Sequence, residues 1–190
     1  MNLLAARRAV VRRGAFEACV LLVACVFLAA CATRPPPSQG MPWTSGRLSL
    51  QVAANGPLAA RSVSAGFDLR GDAERGELRL TSPLGSLVAA ARWWPGSAVL
   101  QTPQGEVDFP DLDSLSNEAL GEPLPLQALP DWLAGRPWLG ASSQPLEAAL
   151  GPGFEQLGWR VLLARLDVGH VDAERLAPPV VKLRVRLEKP

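Results

Sequence analysis

The run from Val180 to Leu187, Val-Val-Lys-Leu-Arg-Val-Arg-Leu, alternates apolar and basic residues from Val181 onward. Successive side chains of a strand point to opposite faces, so Val181, Leu183, Val185 and Leu187 share one face while Lys182, Arg184 and Arg186 meet water. The same period recurs earlier. Leu48, Leu50 and Val52 alternate with Arg47, Ser49 and Gln51; Phe67 and Leu69 alternate with Asp68 and Arg70; Leu78 and Leu80 alternate with Glu77 and Arg79. Turn residues punctuate these runs at Asn55-Gly56, Gly71-Asp72, Arg75-Gly76, Pro83-Leu84-Gly85 and Pro95-Gly96. A less regular strand is expected over Ser86 to Trp93, where Ala89, Ala90 and Ala91 carry little period. Two short strands are expected over Ala98 to Thr102 and Glu106 to Phe109, around Gln104-Gly105. Strands spaced about ten residues apart with such turns form an antiparallel meander.

The middle of the chain changes character. Asp111 can cap a helix that carries Leu112, Leu115 and Leu120 and closes at Gly121. A second short helix is expected over Leu126 to Ala134, with Pro130 tolerated only in its first turn. Pro137 to Pro152, rich in Gly, Pro and Ser, reads as a loop. Strands then resume over Phe154 to Leu157, Trp159 to Val168 and Val180 to Leu187. The expected fold is mainly β (α+β): a curved antiparallel sheet of at least eight strands with one apolar face. That face must be covered, and the only covers available are two short helices. They are small for the task, so an incompletely filled apolar cavity is expected beneath them.

Before the domain, Arg7, Arg8, Arg12 and Arg13 precede an apolar stretch from Cys19 to Ala30. That stretch is too short to cross a bilayer, which needs about 20 apolar residues, and it fits a secretory signal. The paired arginines fit a twin-Arg signal poorly. Leu28-Ala29-Ala30-Cys31 resembles the lipobox of bacterial lipoproteins, which implies cleavage before Cys31 and lipidation of its thiol. The expected organisation is a cleaved signal over 1–30, a lipidated Cys with a Pro-rich tether over 31–42, and one domain over 43–190. The Pro-rich tether would reach roughly 30 Å at extended polyproline geometry. Cleavage removes Cys19 and Cys25, leaving no disulfide and no free thiol. It also removes four arginines and Glu17 from the chain's 19 basic and 18 acidic residues, leaving 15 against 17, a balance that does not suggest nucleic acid.

Catalytic constellations do not assemble on paper. The single histidine, His170, lies in a polar stretch, Asp167-Val168-Gly169-His170-Val171-Asp172, that reads as a solvated loop. One histidine and one lipidated cysteine cannot make a metal centre. Asp111 and Asp113 flank a helix start, where capping explains them. No Gly-rich phosphate loop is present. The chain reads as a binder without cofactor or metal, and not as an enzyme. Of its six tryptophans, Trp132 and Trp159 suit a core, whereas the adjacent Trp93 and Trp94 must point to opposite faces of a strand. Leu84 sits at a hairpin tip, a place usually exposed, so it is either tucked under or used for contact.

Four strings occur in one order behind the lipobox: Gly76-Glu77-Leu78-Arg79-Leu80-Thr81-Ser82-Pro83-Leu84-Gly85-Ser86, Gly121-Glu122-Pro123-Leu124-Pro125-Leu126, Trp132-Leu133-Ala134-Gly135 and Gln156-Leu157-Gly158-Trp159. Together they resemble the LolB family of outer-membrane lipoprotein receptors, from about Trp43 to the C-terminus. The resemblance implies an incomplete antiparallel barrel capped by helices, with acyl chains held in an apolar cavity. It implies a lipid-anchored, periplasm-facing receptor at the cell outer membrane that accepts lipoproteins from the soluble carrier LolA and inserts them into outer-membrane lipid. On this likeness Cys31 is the acylated residue, Ala32 is consistent with outer-membrane sorting, and Pro83, Leu84 and Gly85 form the membrane-insertion loop with Leu84 protruding. Alternation then nominates Leu48, Leu50, Phe67, Leu69, Leu78 and Leu80 for the cavity, with Trp132 from the helical cover. The protein is expected to act as a monomer. The chain departs from the family in ending at Leu187-Glu188-Lys189-Pro190, without a Trp-bearing tail. Two other readings compete: a lipid-anchored carrier of another lipid, and a non-catalytic structural envelope lipoprotein.

Overall fold

The computed structural model describes residues 40–57 and 59–188. The signal segment, Cys31 and nearly all of the tether therefore lie outside the described residues. Strands β1 (Thr44–Val52), β2 (Arg61–Gly71), β3 (Gly76–Thr81), β4 (Leu87–Trp94), β5 (Ser97–Thr102) and β6 (Gly105–Phe109) follow one another through tight turns. Two helices come next, α1 (Leu112–Leu120) and α2 (Leu129–Leu133). The chain ends in β7 (Ser143–Pro145), β8 (Gly153–Gln156), β9 (Trp159–Leu162), β10 (His170–Arg175) and β11 (Val181–Leu187).

All eleven strands belong to one sheet in the order β6-β5-β4-β3-β2-β1-β11-β10-β9-β8-β7. Every neighbouring pair is antiparallel, and each pair but one joins strands consecutive in the chain. The exception is β1 with β11, whose register runs from Gly46↔Leu187 to Val52↔Val181. The two edge strands, β6 and β7, do not pair, so the sheet is an incomplete barrel. The segment that connects those edges is the one that carries α1 and α2. Topology thus delivers the helices to the place where the apolar face needs cover.

Local chemistry sets the helix limits. The Asp111 carboxylate accepts from Ser114 N at 2.7 Å and caps α1; that backbone hydrogen bond first, with the Ser114 side chain, holds its pKa below the ordinary value. Gly121 ends α1 in the left-handed region, at φ 69°, with its N–H on Asn117 O. A Cβ there would also come within 2.5 Å of Arg61 Nη1, so the guanidinium at the start of β2 lies directly on this glycine. The second helix is shorter than its apolar pattern suggests. Ala128 N and Leu129 N bond back only three residues, to Pro125 O and Leu126 O, so the chain turns there before α2 begins.

Three further expectations need correction. Ser143 to Pro145, read as loop, pairs with β8 as an edge strand. The strand expected over Trp159 to Val168 stops at Leu162, and Leu166–Val168 forms a single 3-10 turn closed by Gly169 at φ 81°. His170 is not a loop residue; half-buried, it opens β10 opposite Arg186. Only Val171 and Ala173 carry the inward pattern of that strand, and two residues are too few to stand out among polar neighbours.

Two polar clusters fasten the domain. Gln156 is 3% exposed and uses all its amide capacity: Oε1 accepts from Trp132 Nε1 and Trp138 N, both at 2.9 Å, while Nε2 donates to Trp138 O at 2.7 Å and Ala141 O at 2.9 Å. One side chain therefore ties α2 and the 138–141 loop to β8. On the opposite, polar face, Glu77 is buried between Arg70 Nη2 at 2.6 Å and Arg79 Nε at 2.7 Å. The two guanidinium carbons lie 4.4 and 4.7 Å from the Trp43 ring centroid, a double cation–π contact. Burial by itself raises the Glu77 pKa; hydrogen bonds from Arg70 and Arg79, with their charges, outweigh it and hold the carboxyl below its ordinary 4.5.

Replacing Gln156 with Leu strands the Trp132 indole N–H and the peptide groups of the 138–141 loop, and unpaired buried polar groups cost about 1–3 kcal/mol each. Urea unfolding should show a loss of about 2–3 kcal/mol with no change in the denaturant slope. For Glu77 the folded pKa lies below the unfolded one. Its stabilisation is therefore present above pH 4.5 and is lost as pH falls through the folded value. Glu77→Gln should flatten the acid limb of the stability–pH profile and lower stability at neutral pH; an unaltered acid limb would contradict the assignment.

Candidate functional site

Beneath the helices the apolar face is not filled. A cavity of about 370 Å³ remains, walled by β1–β5, β9 and β11 on one side and by α1, α2 and their linker on the other. Leu48, Leu50, Leu78 and Leu80 line it from the strands, and Trp132 lines it from α2. Trp132 is 2% exposed, and its ring sits edge-on to Phe154 at 6.4 Å and tilted to Trp159 at 6.1 Å. Phe67 and Leu69, nominated by the same alternation, do not line the cavity; each is 3% exposed and packed in the core. They lie toward the end of β2 away from Val63. The Phe67 ring also covers Gly46, its register partner, so closely that a Cβ at Gly46 would come within 2.8 Å of it.

The helical wall was largely missed by sequence reasoning. Leu115, Ala119 and Leu120 from α1 and Leu124, Pro125 and Leu126 from the linker all face the cavity. Val63, Val88, Ala89 and Leu100 are further members of the strand wall. The helical spacing of Leu115, Ala119 and Leu120 was available as a signal; the inward direction of the Pro-rich linker was not. Apart from indoles, only Thr102 and Ser116 bring side-chain polar atoms to the lining. Ser116 is fully buried, and its hydroxyl accepts from Leu124 N at 3.0 Å and donates to Asp113 O at 3.1 Å. It has no obligation left toward a ligand, so the interior offers hydrocarbon contact and little else. Such a lining favours apolar guests over water, which needs polar partners.

The cap is held at its linker. Glu122 accepts from Arg175 Nη2 at 2.7 Å, both side chains being largely buried, and the Arg175 guanidinium lies 5.8 Å from the Trp159 ring. Val63, Val88 and Ala119 are the exposed members of the lining, so the cavity opens at the sheet end where β2 and β4 begin. At that same end the β3–β4 turn projects. Gly85 N donates to Ser82 O at 2.9 Å, Ser82 N donates to Ser86 O at 2.8 Å, and Gly85 stands at φ 82°. Pro83 presets the turn. The result leaves Leu84 94% exposed, with nothing folded over it.

A larger hollow of about 890 Å³ lies on the polar face of β1, β2, β10 and β11. It is lined by Arg47, Lys182, Arg184, Arg186, Asp172 and Glu174 among others, and half-buried His170 is there. Charged walls and a wide opening make it no container for hydrocarbon. Among the described residues, no three His, Cys, Asp or Glu side chains group to hold a metal.

The family profile described as "Outer membrane lipoprotein LolB" matches residues 43–187. The chain belongs to the LolB family. Among curated relatives, the outer-membrane lipoprotein LolB of Bordetella petrii is 38% identical over 151 residues, covering 75% of each chain. That of Cupriavidus pinatubonensis is 36% identical over 184 residues, covering 90% of this chain and 86% of its own. That of Chromobacterium violaceum is 32% identical over 155 residues, covering 77% and 81%. The LolB match spans the whole described sheet and its helical cap, so the cavity and the Leu84 turn both fall inside the matched region.

The cavity can be plugged from its wall. Ala89 borders it in β4, and Ala89→Phe would place a ring in the open space. Displacing two methylenes of a guest, at about 0.8 kcal/mol each, should weaken binding of a fluorescent apolar probe by roughly tenfold. Thermal unfolding should remain within a few degrees of the parent; equal probe binding by the variant would place the probe elsewhere.

Proposed function

We propose that this protein is a lipid-anchored outer-membrane receptor that accepts lipoproteins from the periplasmic carrier LolA and inserts them into outer-membrane lipid. The cavity carries this reading: it is apolar, its polar groups are satisfied internally, and it opens beside a fully exposed leucine. Residues 1–30 serve as the cleaved signal, Cys31 takes the lipid, residues 31–42 are the tether, and the domain faces the periplasm as a monomer. Leu48, Leu50, Leu78, Leu80 and Trp132 contact the cargo's acyl chains. The role is non-catalytic. It uses no cofactor, and the cargo moves because its chains have a lower free energy at each successive site.

Each methylene removed from water contributes about 0.8 kcal/mol, so a multiply acylated cargo cannot cross water unassisted. The cavity is about 370 Å³ and open at one end. The wall able to move as cargo enters is the helical cap, joined to the sheet through Gln156, Glu122 and the Arg61–Gly121 contact. A short cap that meets the sheet through side chains can shift on it without disturbing the strand ladder.

Transfer itself is the test. The domain, presented with a lipoprotein bound to its carrier, should strip the cargo, and the full chain should then release it to vesicles. Failure to strip would remove the receptor reading and leave a carrier of some other lipid or a structural lipoprotein. Leu84→Glu should leave acceptance and unfolding midpoint unchanged while delivery to vesicles falls by about tenfold or more, the order supported by burial of one leucine side chain. Equal loss of acceptance would return Leu84 to a role in binding.

A further inference from the structure

Leu84 is not the most exposed leucine in the domain. Leu139, in Pro137-Trp138-Leu139-Gly140, is 97% exposed, and Leu157 in the β8–β9 turn is 43% exposed. Neither is free to retract. On one side of Leu139, Trp138 is bonded through both its N–H and its carbonyl to the buried Gln156 amide; on the other, the Ala141 carbonyl is bonded to the same amide. The Trp138 ring covers Gly140 so closely that a Cβ at 140 would come within 2.2 Å of it. Leu157 occupies the first position of a two-residue hairpin turn at φ 54°, followed by Gly158 at φ 75°. Such turns favour Asn, Asp or Gly. Among the described residues, Leu157 is the only one other than glycine with positive φ. A leucine held there in the left-handed region is displayed against backbone preference.

Strand registers put both leucines at the end of the sheet where Leu84 projects. Val52 pairs with Arg61 of β2 and with Val181 of β11; Val181 pairs with Arg175, Glu174 pairs with Arg160, and Gln156 pairs with both Trp159 and Ser143. Followed in the other direction, β2 pairs with β3 through Gly66↔Thr81, just before the Ser82–Ser86 turn. The Leu84 turn, the cavity opening at Val63 and Val88, the Leu157 turn and the 138–142 loop thus share one end. Leu84 stands on one limb of the incomplete barrel, and Leu139 with Leu157 stands on the other.

We propose that Leu139 and Leu157 form a second apolar foothold on the lipid surface, so that the domain rests on the bilayer at two separated points with the cavity opening toward the lipid. This rests on the receptor reading for the identity of the surface. A protein partner would need a continuous, close-packed contact core, whereas these side chains stand on separate tips of the barrel end. Hydrocarbon is fluid and receives isolated aliphatic side chains without matching their spacing. With two footholds, the domain cannot pivot about a single leucine, and acyl chains leaving past Val63 and Val88 meet lipid directly.

The processed chain suits a single-label experiment, because Cys19 and Cys25 precede the proposed cleavage point. Leu139→Cys, Leu84→Cys and Leu150→Cys are each made in the full chain, labelled with an environment-sensitive fluorophore, and studied in vesicles of phosphatidylethanolamine and phosphatidylglycerol. The parent chain, treated alike, subtracts any label on Cys31. Leu150 is 40% exposed and lies between β7 and β8 at the opposite end of the sheet, so it serves as the aqueous control. The expected result is a blue-shifted label at 139 and at 84, both quenched by bromine-bearing lipid chains, with the label at 150 unmoved. A water-like label at 139 beside a quenched label at 84 overturns the second foothold and leaves the receptor reading intact. Water-like labels at both positions overturn membrane contact by this end altogether. A blue shift at 139 caused by the carrier without vesicles also overturns the proposal, in favour of a protein contact. In transfer assays, the Leu139→Glu, Leu157→Asn double variant should match the parent in acceptance, unfold at the parent's midpoint or above it, and deliver about tenfold more slowly; parental delivery counts against the proposal.

Discussion

The sheet has an apolar face and no second sheet to bury it against, and most of the molecule follows from that need. A twisted antiparallel sheet can curl until its edges meet, which removes the problem by closure. Here β6 and β7 stay apart, and the segment that must connect them is laid across the gap as two short helices. Such a cover is thin. It fills the far end of the trough, where Phe67, Leu69 and Trp93 pack, and leaves the near end open above Leu48, Leu78 and Leu80. The cavity is therefore a consequence of covering eleven strands with fourteen helical residues.

The cover meets the sheet through side chains, apolar ones in a shared core and a few polar fasteners, and this separates two kinds of stability in one domain. The strands are joined by continuous ladders, while the cap rests on packed side chains such as Leu115, Leu129, Trp132 and Leu133, with one amide, one ion pair and one guanidinium on a glycine fixing its place. Local opening free energies differ across such a structure, and the parts that move for function come from the weaker end. Gln156 also reaches beyond the cap, because the amide that holds Trp132 holds the peptide groups around Leu139. Movement of α2 and the set of the 138–141 loop are linked through a single side chain.

The alternating strands were legible because each needs only its own neighbours to declare a face. Leu48 and Leu50, Leu78 and Leu80, and Val181 to Leu187 point where their period says. Asp111 and Gly121 likewise declare the ends of α1 by local chemistry. Features that depend on distant segments were not legible. Gln156 reads as an ordinary polar strand residue until the 138–141 loop arrives to bury it. Phe67 and Leu69 share a face with the cavity leucines, and only their distance along β2 separates core from lining. Leu139 sits in a Gly- and Pro-rich loop where exposure is unremarked, and its fixity comes from Gln156, fifteen or more residues away in the chain.

The pairing of β1 with β11 has a consequence for how the chain assembles. Every other ladder joins strands adjacent in sequence, so β1 to β6 and β7 to β11 can each form as local meanders with little loop-closure entropy. The last ladder spans nearly the whole domain and joins them in the middle of the sheet. Until it forms, each half carries a bare central edge able to pair with another chain. The cavity wall is also unfinished, since Leu48 and Leu50 lie on one side of the seam and Leu183 on the other. Folding of this domain is thus late and long-range at the point where its container is completed, and a chain caught before that step has an open strand edge and no site.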